Sequence, residues 1–313
     1  MSAPAEPLHH YFELLRRTLL QRVPQVGSSA LSATGLRCLR RNTPAAPEAG
    51  LLSPCVYLVV QGAARMTMSG EEIFLQPGQF LANCVDMHTV FSLDASEDTP
   101  FLALALDMDS SAFAEMFREL DEAKDASSSD EKNPGETGGS GISSTSRAIY
   151  VSRATPELLN AFLRLVTLEG DERRIRFISH LIIREICFYL AEDENGACLR
   201  AFYASSTQGS QIARAIGYMR EHCHERLRIE TLARLADMAE STFNRNFRRI
   251  TTLSPLQYHK NLKLHEARRL MIAENMSAAA ACYAVGYESQ QQFTREYKRL
   301  FGSPPMKDAR RSQ

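Results

Sequence analysis

The C-terminal third of the chain carries the same helical pattern twice, and this repetition constrains the fold more than any other feature. In each copy, a short helix and a turn precede a second helix whose apolar residues recur at helical spacing. A long helical segment lies between the copies and begins with Ser254 followed by Pro255, which is typical of a helix start. The pattern predicts two helix–turn–helix units joined by a long helix. The two apolar stripes are Phe243, Phe247 and Ile250, and then Phe293, Tyr297, Leu300 and Phe301.

The outer faces of these two helices carry side chains that suit the edges of DNA bases. Glutamine can form two hydrogen bonds with adenine in the major groove, and arginine can do the same with guanine. Glutamine is also common on solvated helices, so one helix alone does not decide between base reading and simple exposure. The same layout in both copies favours base reading. The candidates are Ser241, Asn244, Arg245 and Arg248 in the first copy, and Gln290, Gln291, Thr294, Arg295 and Lys298 in the second.

The length of the joining helix matches the repeat of DNA. A helix from Pro255 to Glu274 extends about 30 Å at 1.5 Å per residue. One turn of B-DNA spans about 34 Å. A rigid helix of this length can place the two reading helices in successive major grooves on one face of a duplex.

The distribution of charge agrees with a polyanionic partner for this region alone. From Gly209 to Gln313 the chain has 18 Lys and Arg against 10 Asp and Glu, whereas the preceding residues have 18 against 27. The formal net charge of −1 hides this asymmetry. A basic region attached to an acidic body is typical of a nucleic-acid-binding domain joined to a domain with another task, although uneven surface charge alone would give the same count.

Roughly residues 209–310 resemble the DNA-binding domain of AraC/XylS-type bacterial transcription regulators. The most specific match is "AVGYESQQQFTREYKRLFGSPP". The resemblance implies phosphate contacts from helix N-termini and neighbouring basic groups. At Ala239 the chain departs from the family, which usually has Ser or Thr there as a helix cap; losing that cap costs about 1 kcal/mol. The neighbouring Glu240 would also repel phosphate. The base contacts that the resemblance implies come from Ser241, Asn244 and Arg245, and from Gln290, Gln291, Gln292 and Arg295.

The region after residue 51 consists of short β-rich runs separated by turn residues. This spacing predicts a compact β-barrel or a sandwich. The stretches "VVQG" and "PGQF" resemble the N-terminal sensor domain of one AraC-type subgroup, which is a small barrel of cupin type. The expected fold class is therefore an α+β multidomain protein: a small cupin-like β-barrel with helices, followed by an all-α double helix–turn–helix domain.

Changes in composition divide the chain into five segments. Residues 121–147 are polar and rich in Ser and Gly, which predicts a disordered loop. The second helix of the following hairpin is apolar enough to pack on two sides, either within its domain or against a second copy of the chain. The segments are a helical and extended arm (1–50), the β-barrel sensor (51–120), the loop (121–147), the hairpin with its candidate dimer helix (148–204) and the DNA-binding domain (205–313).

The β-rich region offers a small set of candidates for a ligand pocket, namely Tyr57, Gln61, Cys84 and His88. It contains one histidine and no second potential metal ligand of that type nearby, so no metal or other cofactor is expected. The run His222-Cys223-His224 places neighbouring side chains in different directions on a helix, which argues against a metal site. Cys84 could act as a redox sensor if its pKa were depressed, or it is a buried small apolar residue.

The chain shows no Ser-His-Asp order, no glycine-rich phosphate loop and no paired catalytic carboxylates. We therefore expect a transcription regulator and not an enzyme. The rival interpretation is a cupin-type oxygenase, or a cysteine-based sensor or transferase, fused to a DNA-binding domain. The seven scattered cysteines, the lack of a signal-peptide pattern and the lack of a long apolar run predict a cytoplasmic protein at the nucleoid, with no membrane contact. Expected partners are duplex DNA and an unknown small-molecule effector, with RNA polymerase and a second copy of the chain as further candidates.

Overall fold

A computed structural model describes residues 6–23, 26–31, 35–68, 71–108, 113, 115–120, 122, 149–203 and 208–312. The predicted loop at 121–147 lies almost wholly outside these described residues. We define the N-terminal domain as residues 6–203. In the part of it that the structure describes, ten strands lie between one helix and three later helices, and residues 115–120 are also helical. Its first elements are α1 (Glu6–Arg22), β1 (Gly27–Ala30), β2 (Leu36–Arg41), β3 (Ala45–Leu52), β4 (Cys55–Gln61), β5 (Ala63–Met68), β6 (Glu71–Leu75), β7 (Gln79–Asn83), β8 (Met87–Asp94), β9 (Phe101–Asp107) and β10 (Ile149–Arg153).

The ten strands form two antiparallel sheets. The strand order is β1-β2-β9-β4-β7-β10 in the larger sheet and β3-β8-β5-β6 in the smaller one. Apolar side chains from both sheets belong to one hydrophobic core. Among the described strands, no hydrogen-bonded pairing closes these two sheets into a single barrel. The α+β architecture is confirmed. The sequence left a barrel and a sandwich open for the β region, and the described strands form two sheets.

Strand β4 lies inside the larger sheet, and this central position explains why its sequence is the apolar run "CVYLVV". It pairs with β7 on one side and with β9 on the other, with Tyr57 opposite Leu81 and Ala105. Residues 55–60 are all buried because both faces of this strand are covered. The chain then turns at Gly62, whose φ of +77° suits glycine, and a Cβ there would lie 2.6 Å from the Asp94 carbonyl oxygen.

The predicted boundaries of the β region were too narrow. Strands β1, β2 and β3 lie in the first 52 residues, which the sequence suggested were mainly an arm, and β10 follows the polar loop to pair with β7. Strand β2 places arginines on its partly exposed side, and β3 contains Pro47 and Gly50. Such strands lack a local signal because distant partners, β9 and β8, determine their conformation.

Three helices complete the N-terminal domain: α2 (Pro156–Thr167), α3 (Glu172–Glu192) and α4 (Ala197–Tyr203). The predicted helical hairpin is confirmed. The Thr155 side chain caps α2, and Asp171 caps α3. One face of α3 is buried, whereas Phe177 (61%) and Leu181 (54%) on the opposite side are exposed.

The C-terminal region contains helices and, among its described residues, no strand. The helices are α5 (Gln208–Glu221), α6 (Ile229–Leu235), α7 (Glu240–Thr251), α8 (Pro255–Ala273), α9 (Ala278–Ala284), α10 (Gln290–Phe301) and α11 (Pro305–Ser312). Helix α8 has 19 residues, begins at the predicted Ser254 cap and joins two helix–turn–helix pairs, α6–α7 and α9–α10. We define α5–α7 as the first unit and α9–α11 as the second unit.

The hydrophobic interior divides within α8. One core runs from the N-terminal domain through the first unit and ends with Tyr258 and Leu262 of α8. A second, smaller core begins with Leu264 and contains the second unit. The first unit is therefore packed as part of the N-terminal domain, and the second unit is packed around its own core. No helix in the described part of the chain is long and apolar enough to cross a bilayer.

Candidate nucleic-acid interface

Helix α7 is the first recognition helix, by which we mean the second helix of the first helix–turn–helix pair. Its apolar stripe, Phe243, Phe247 and Ile250, is buried. It starts after Ala239, which provides no side-chain cap, as the sequence predicted. The first turn therefore leaves backbone N–H groups without a side-chain acceptor from the cap residue. Such groups can donate to a DNA phosphate, although the carboxylate of Glu240 stands beside them.

Helix α10 is the second recognition helix and starts with a complete cap. The Ser289 hydroxyl accepts a hydrogen bond from the backbone N–H of Gln292. The helix ends at Gly302, whose φ of +74° is a left-handed conformation that glycine adopts readily. The two recognition helices thus share length and apolar stripe but differ in how firmly their N-termini are fixed.

The predicted base-reading residues lie on the outer faces of these helices. Asn244 is half-buried, and its side-chain amide donates to the Glu240 carbonyl. In the second helix, Gln290 donates to the Tyr283 hydroxyl and Gln292 donates to the Glu296 carboxylate. The exposed members of the set are Ser241, Arg245, Arg248, Gln290, Gln291, Gln292, Thr294, Arg295 and Lys298.

The cations on the recognition helices differ from those on α8. Within the described residues, Arg245, Arg248, Arg295 and Lys298 form no ion pair. On α8, by contrast, Lys260, Arg268 and Arg269 are each paired with a carboxylate. The recognition helices therefore present positive charge that is available to an anionic partner.

A buried polar network fixes α10 against the rest of the second unit. Glu296 is buried and accepts hydrogen bonds from Lys260 at 2.8 Å and from the Tyr287 hydroxyl at 2.8 Å. Burial alone would raise the pKa of Glu296, but these bonds together with one from Gln292 outweigh it and lower the pKa. The ionised carboxylate holds the inner side of α10, so the opposite side faces outward in a defined orientation.

Two arginines connect the helical region to the strands of the N-terminal domain. Arg220 of α5 donates through Nε to the buried Asp86 carboxylate at 3.0 Å. Arg268 of α8 donates to Glu48 at 2.9 Å on β3 and to Asp308 at 2.8 Å on α11. These contacts tie the first unit and the second unit separately to the same N-terminal domain.

Of the four predicted pocket residues, Tyr57, Gln61 and Cys84 line none of the described cavities, and a ligand pocket formed by the four stays a prediction. Tyr57 is buried inside the larger sheet, and Gln61 donates its side-chain amide to the Pro100 carbonyl at 2.7 Å. Cys84 is also buried, and the side chain of His88 lies outside the described residues. A pocket of about 410 Å³ lies instead on the smaller sheet; among its lining residues are Arg65, Phe74, Phe91 and Asp94. The sequence missed this site because β3, which contributes to it, was not recognised as a strand.

In the described residues, no three His, Cys, Asp or Glu side chains are grouped as they would be to hold a metal ion. His222 pairs with Glu225, and Cys223 is buried beside His224, so the His-Cys-His run does not converge on one point.

Comparison with protein families gives two matches that together span most of the chain. A model described as the N-terminus of AraC-type transcriptional regulators matches residues 32–198, and a helix-turn-helix domain model matches residues 232–311. The chain belongs to the AraC-type transcriptional regulators. The second match contains both recognition helices of this regulator.

Individual relatives are similar to this regulator over part of its length. The MmsAB operon regulatory protein of Pseudomonas aeruginosa is 34% identical over 88 residues, which are 28% of this chain and 29% of that protein. The uncharacterised regulator YobQ of Bacillus subtilis is 31% identical over 91 residues, 29% of this chain and 38% of its own length. The chain therefore aligns with well under half of each of these relatives.

The fold of this regulator is similar to that of ToxT from Vibrio cholerae over nearly the whole chain. An apo ToxT structure covers 91% of this chain and 100% of ToxT, with a TM-score of 0.59 and 8% identity. Another ToxT structure contains (E)-4-(8-methylnaphthalen-1-yl)but-3-enoic acid and has a TM-score of 0.60 at 7% identity. At this identity the likeness concerns the fold: an N-terminal domain of sheets followed by a helical domain.

Proposed function

We propose that the protein binds a specific duplex DNA operator through α7 and α10, and that a small molecule bound to the N-terminal domain controls this binding. The observation that carries the proposal is the pair of recognition helices. They place exposed glutamine and arginine side chains and unpaired cations at the two ends of a 19-residue helix. At 1.5 Å per residue α8 is about 28 Å long, close to one turn of B-DNA. Each protomer would therefore read two adjacent major grooves.

Selection from random duplex DNA by the full-length protein tests this function. We expect an enriched site with two boxes about one helical turn apart. The triple variant with Ala at Gln290, Gln291 and Arg295 should lose sequence preference in one box and keep it in the other. The same three changes should leave the thermal unfolding temperature nearly unchanged, because these side chains are exposed. Failure of the wild-type protein to enrich any sequence, with or without candidate effectors, would contradict the proposal.

We propose that the effector is a small organic molecule that occupies the N-terminal domain. The solved ToxT structures with an unsaturated fatty acid and with a naphthalenyl butenoic acid support this class of control in a protein of the same fold. The pocket of about 410 Å³ on the smaller sheet is a suitable size for a small ligand. Thermal-shift screening of small organic acids tests this part, with Phe91→Ala as the pocket variant and the exposed Met306→Ala, which lies outside the pocket, as the control.

We propose that the regulator forms a homodimer through α3, the predicted dimer helix. Phe177, Leu181 and Phe188 are exposed and recur at i, i+4 and i+11, which places them on one stripe of the helix. The stripe lies opposite the face that packs inside the domain. The helix can therefore pack within its own domain on one face and against a second copy of the chain on the other. Leu181→Glu should give a monomer in analytical ultracentrifugation, whereas a wild-type protein that sediments as a monomer at micromolar concentration would contradict the dimer.

We propose that the regulator acts in the cytoplasm at the nucleoid, next to RNA polymerase at its promoter, and that it has no enzymatic activity. The oxygenase interpretation is tested by metal analysis of the purified protein. Stoichiometric iron would overturn the non-enzymatic assignment. The redox interpretation of Cys84 remains a separate hypothesis: Cys84→Ser should abolish an oxidant response if that cysteine is the sensor.

A further inference from the structure

Lys263 is a buried lysine at the point where the two hydrophobic cores of the protein meet. Its neighbour Leu262 belongs to the core shared by the N-terminal domain and the first unit, and Leu264 belongs to the core of the second unit. Lys263 itself is 8% exposed. A lysine is rarely buried to this degree without polar partners, because removing the ammonium group from water costs several kcal/mol.

The ammonium group of Lys263 contacts one backbone carbonyl from each unit. Nζ lies 3.5 Å from the oxygen of His224, in the segment after α5, and 3.4 Å from the oxygen of Gly286, in the turn before α10. Both carbonyls lie in the segment that follows a helix, and a backbone carbonyl oxygen is a strong hydrogen-bond acceptor for an ammonium group. Burial lowers the pKa of Lys263, and these acceptors are the polar partners that the buried group requires.

The backbone of the two units also meets at this point. A Cβ built on Gly286 would overlap the His224 carbonyl oxygen and would lie 3.0 Å from Lys263 Nζ. Gly286 has a φ of +76°, so glycine is needed both for the conformation and for the close approach. The contact forms part of the wall of a cleft of about 770 Å³, which His224, Lys263 and Gly286 line together with other residues of both units and of α8. The contact at Lys263 is therefore a specific polar bridge and not part of a continuous apolar interface.

We propose that Lys263 is a positioning residue that fixes the second recognition helix relative to the first, and so determines which spacing between the two DNA boxes the regulator accepts. The inference rests on the proposed function, because it concerns the spacing between the two DNA boxes that the two recognition helices bind. The boundary between the two cores lies at Lys263 on α8. Without the Lys263 contact, the two units could tilt against each other at this boundary. By joining the segment after α5 to the turn before α10, the ammonium group resists this tilt without touching DNA.

The test compares full-length wild-type protein with three variants on a set of duplexes. The duplexes carry the two selected boxes with the intervening sequence shortened or lengthened by one and two base pairs. Lys263→Met keeps the aliphatic chain and removes the donors, and Lys263→Arg keeps donors for both carbonyls. Arg269→Met is the matched control, because it removes a cation from the same helix whose partners, Glu266 and Glu274, are both local.

We expect the wild type and Arg269→Met to lose about tenfold in affinity for each base pair of altered spacing, comparable to a mismatched base pair. Lys263→Met should lose only about threefold or less, while its affinity for a single box stays within about twofold. Lys263→Arg should restore the wild-type profile. This pattern, a change in spacing preference without a change in single-box affinity, is one that a merely destabilised protein would not give.

Several outcomes would overturn the inference. An equal loss of affinity by Lys263→Met on all duplexes would indicate a purely structural role. A wild-type spacing profile in Lys263→Met would show that Lys263 does not determine the spacing. If Lys263→Met does not fold, Lys263→Arg decides the question: a folded arginine variant without wild-type spacing preference would contradict the bridge. Failure of the proposed function is distinguishable, because in that case the wild type would select no pair of boxes at all.

Discussion

Ala239 is the residue at which the two recognition helices differ most. Its φ and ψ of −65° and 147° are those of a normal helix cap, but its methyl group accepts no hydrogen bond. Ala239→Ser should stabilise the protein by about 1 kcal/mol, because the hydroxyl can accept from a backbone N–H of the first turn. Chemical denaturation measures this difference. The control is Ala284→Ser, an exposed helix position with no cap to restore, and an equal gain there would contradict the capping explanation.

Arg295 is an exposed, unpaired arginine on the second recognition helix. Arg295→Ala should weaken binding to the selected operator by about 1–3 kcal/mol and relax one base position, because a bidentate contact to guanine is lost. Binding to random DNA should change much less. Fluorescence anisotropy with both duplexes at one salt concentration measures the ratio. Equal loss on specific and random DNA would identify Arg295 as a phosphate contact only.

At the scale of single elements, His259 couples α8 to the end of α5. It is buried, and burial together with the nearby Lys263 lowers its pKa from 6.5 to about 4. Between these values the unfolded chain binds a proton that the folded chain does not, so stability falls as the pH decreases from about 6.5 to about 4. His259→Gln should flatten the free energy of unfolding across this window, as measured by urea denaturation at several pH values. Exposed His9→Gln, the control, should leave the slope unchanged.

The elements that the sequence predicted well are those with local signals. Helices α7 and α10 follow from apolar spacing, and α8 follows from the Ser254 cap; each of these signals lies within or beside the helix that it predicts. Strand β3 has no such signal, because its conformation depends on pairing with β8, some forty residues later. Side-chain contacts between residues far apart in the chain cannot be predicted from the sequence for the same reason. The side chain of Gln61, for example, is committed to Pro100, a contact that only the folded sheets create.

At the scale of the whole molecule, the N-terminal domain and the first unit share one hydrophobic core, and the second unit has its own. A regulator built in this way can keep one recognition helix fixed on its N-terminal domain while the other is held by polar contacts. Arg268 provides one of them, since it joins Glu48 on β3 to Asp308, which also accepts from the Tyr297 hydroxyl of α10. A ligand that displaces β3 would act on the second recognition helix through this path.

The division of the core predicts two thermal transitions. Phe293→Ala should lower the transition of the second unit, and Phe247→Ala should lower the other, because the two side chains are fully buried in different cores. Each change should cost about 3–5 kcal/mol in its own core. Differential scanning calorimetry resolves the two transitions, with exposed Phe74→Ala as a control that should move neither. A single transition that both core variants lower equally would show that the polar contacts of Lys263 and Arg268 join the second unit to the rest as firmly as a shared core would. In that case a signal from the N-terminal domain would reach both recognition helices together.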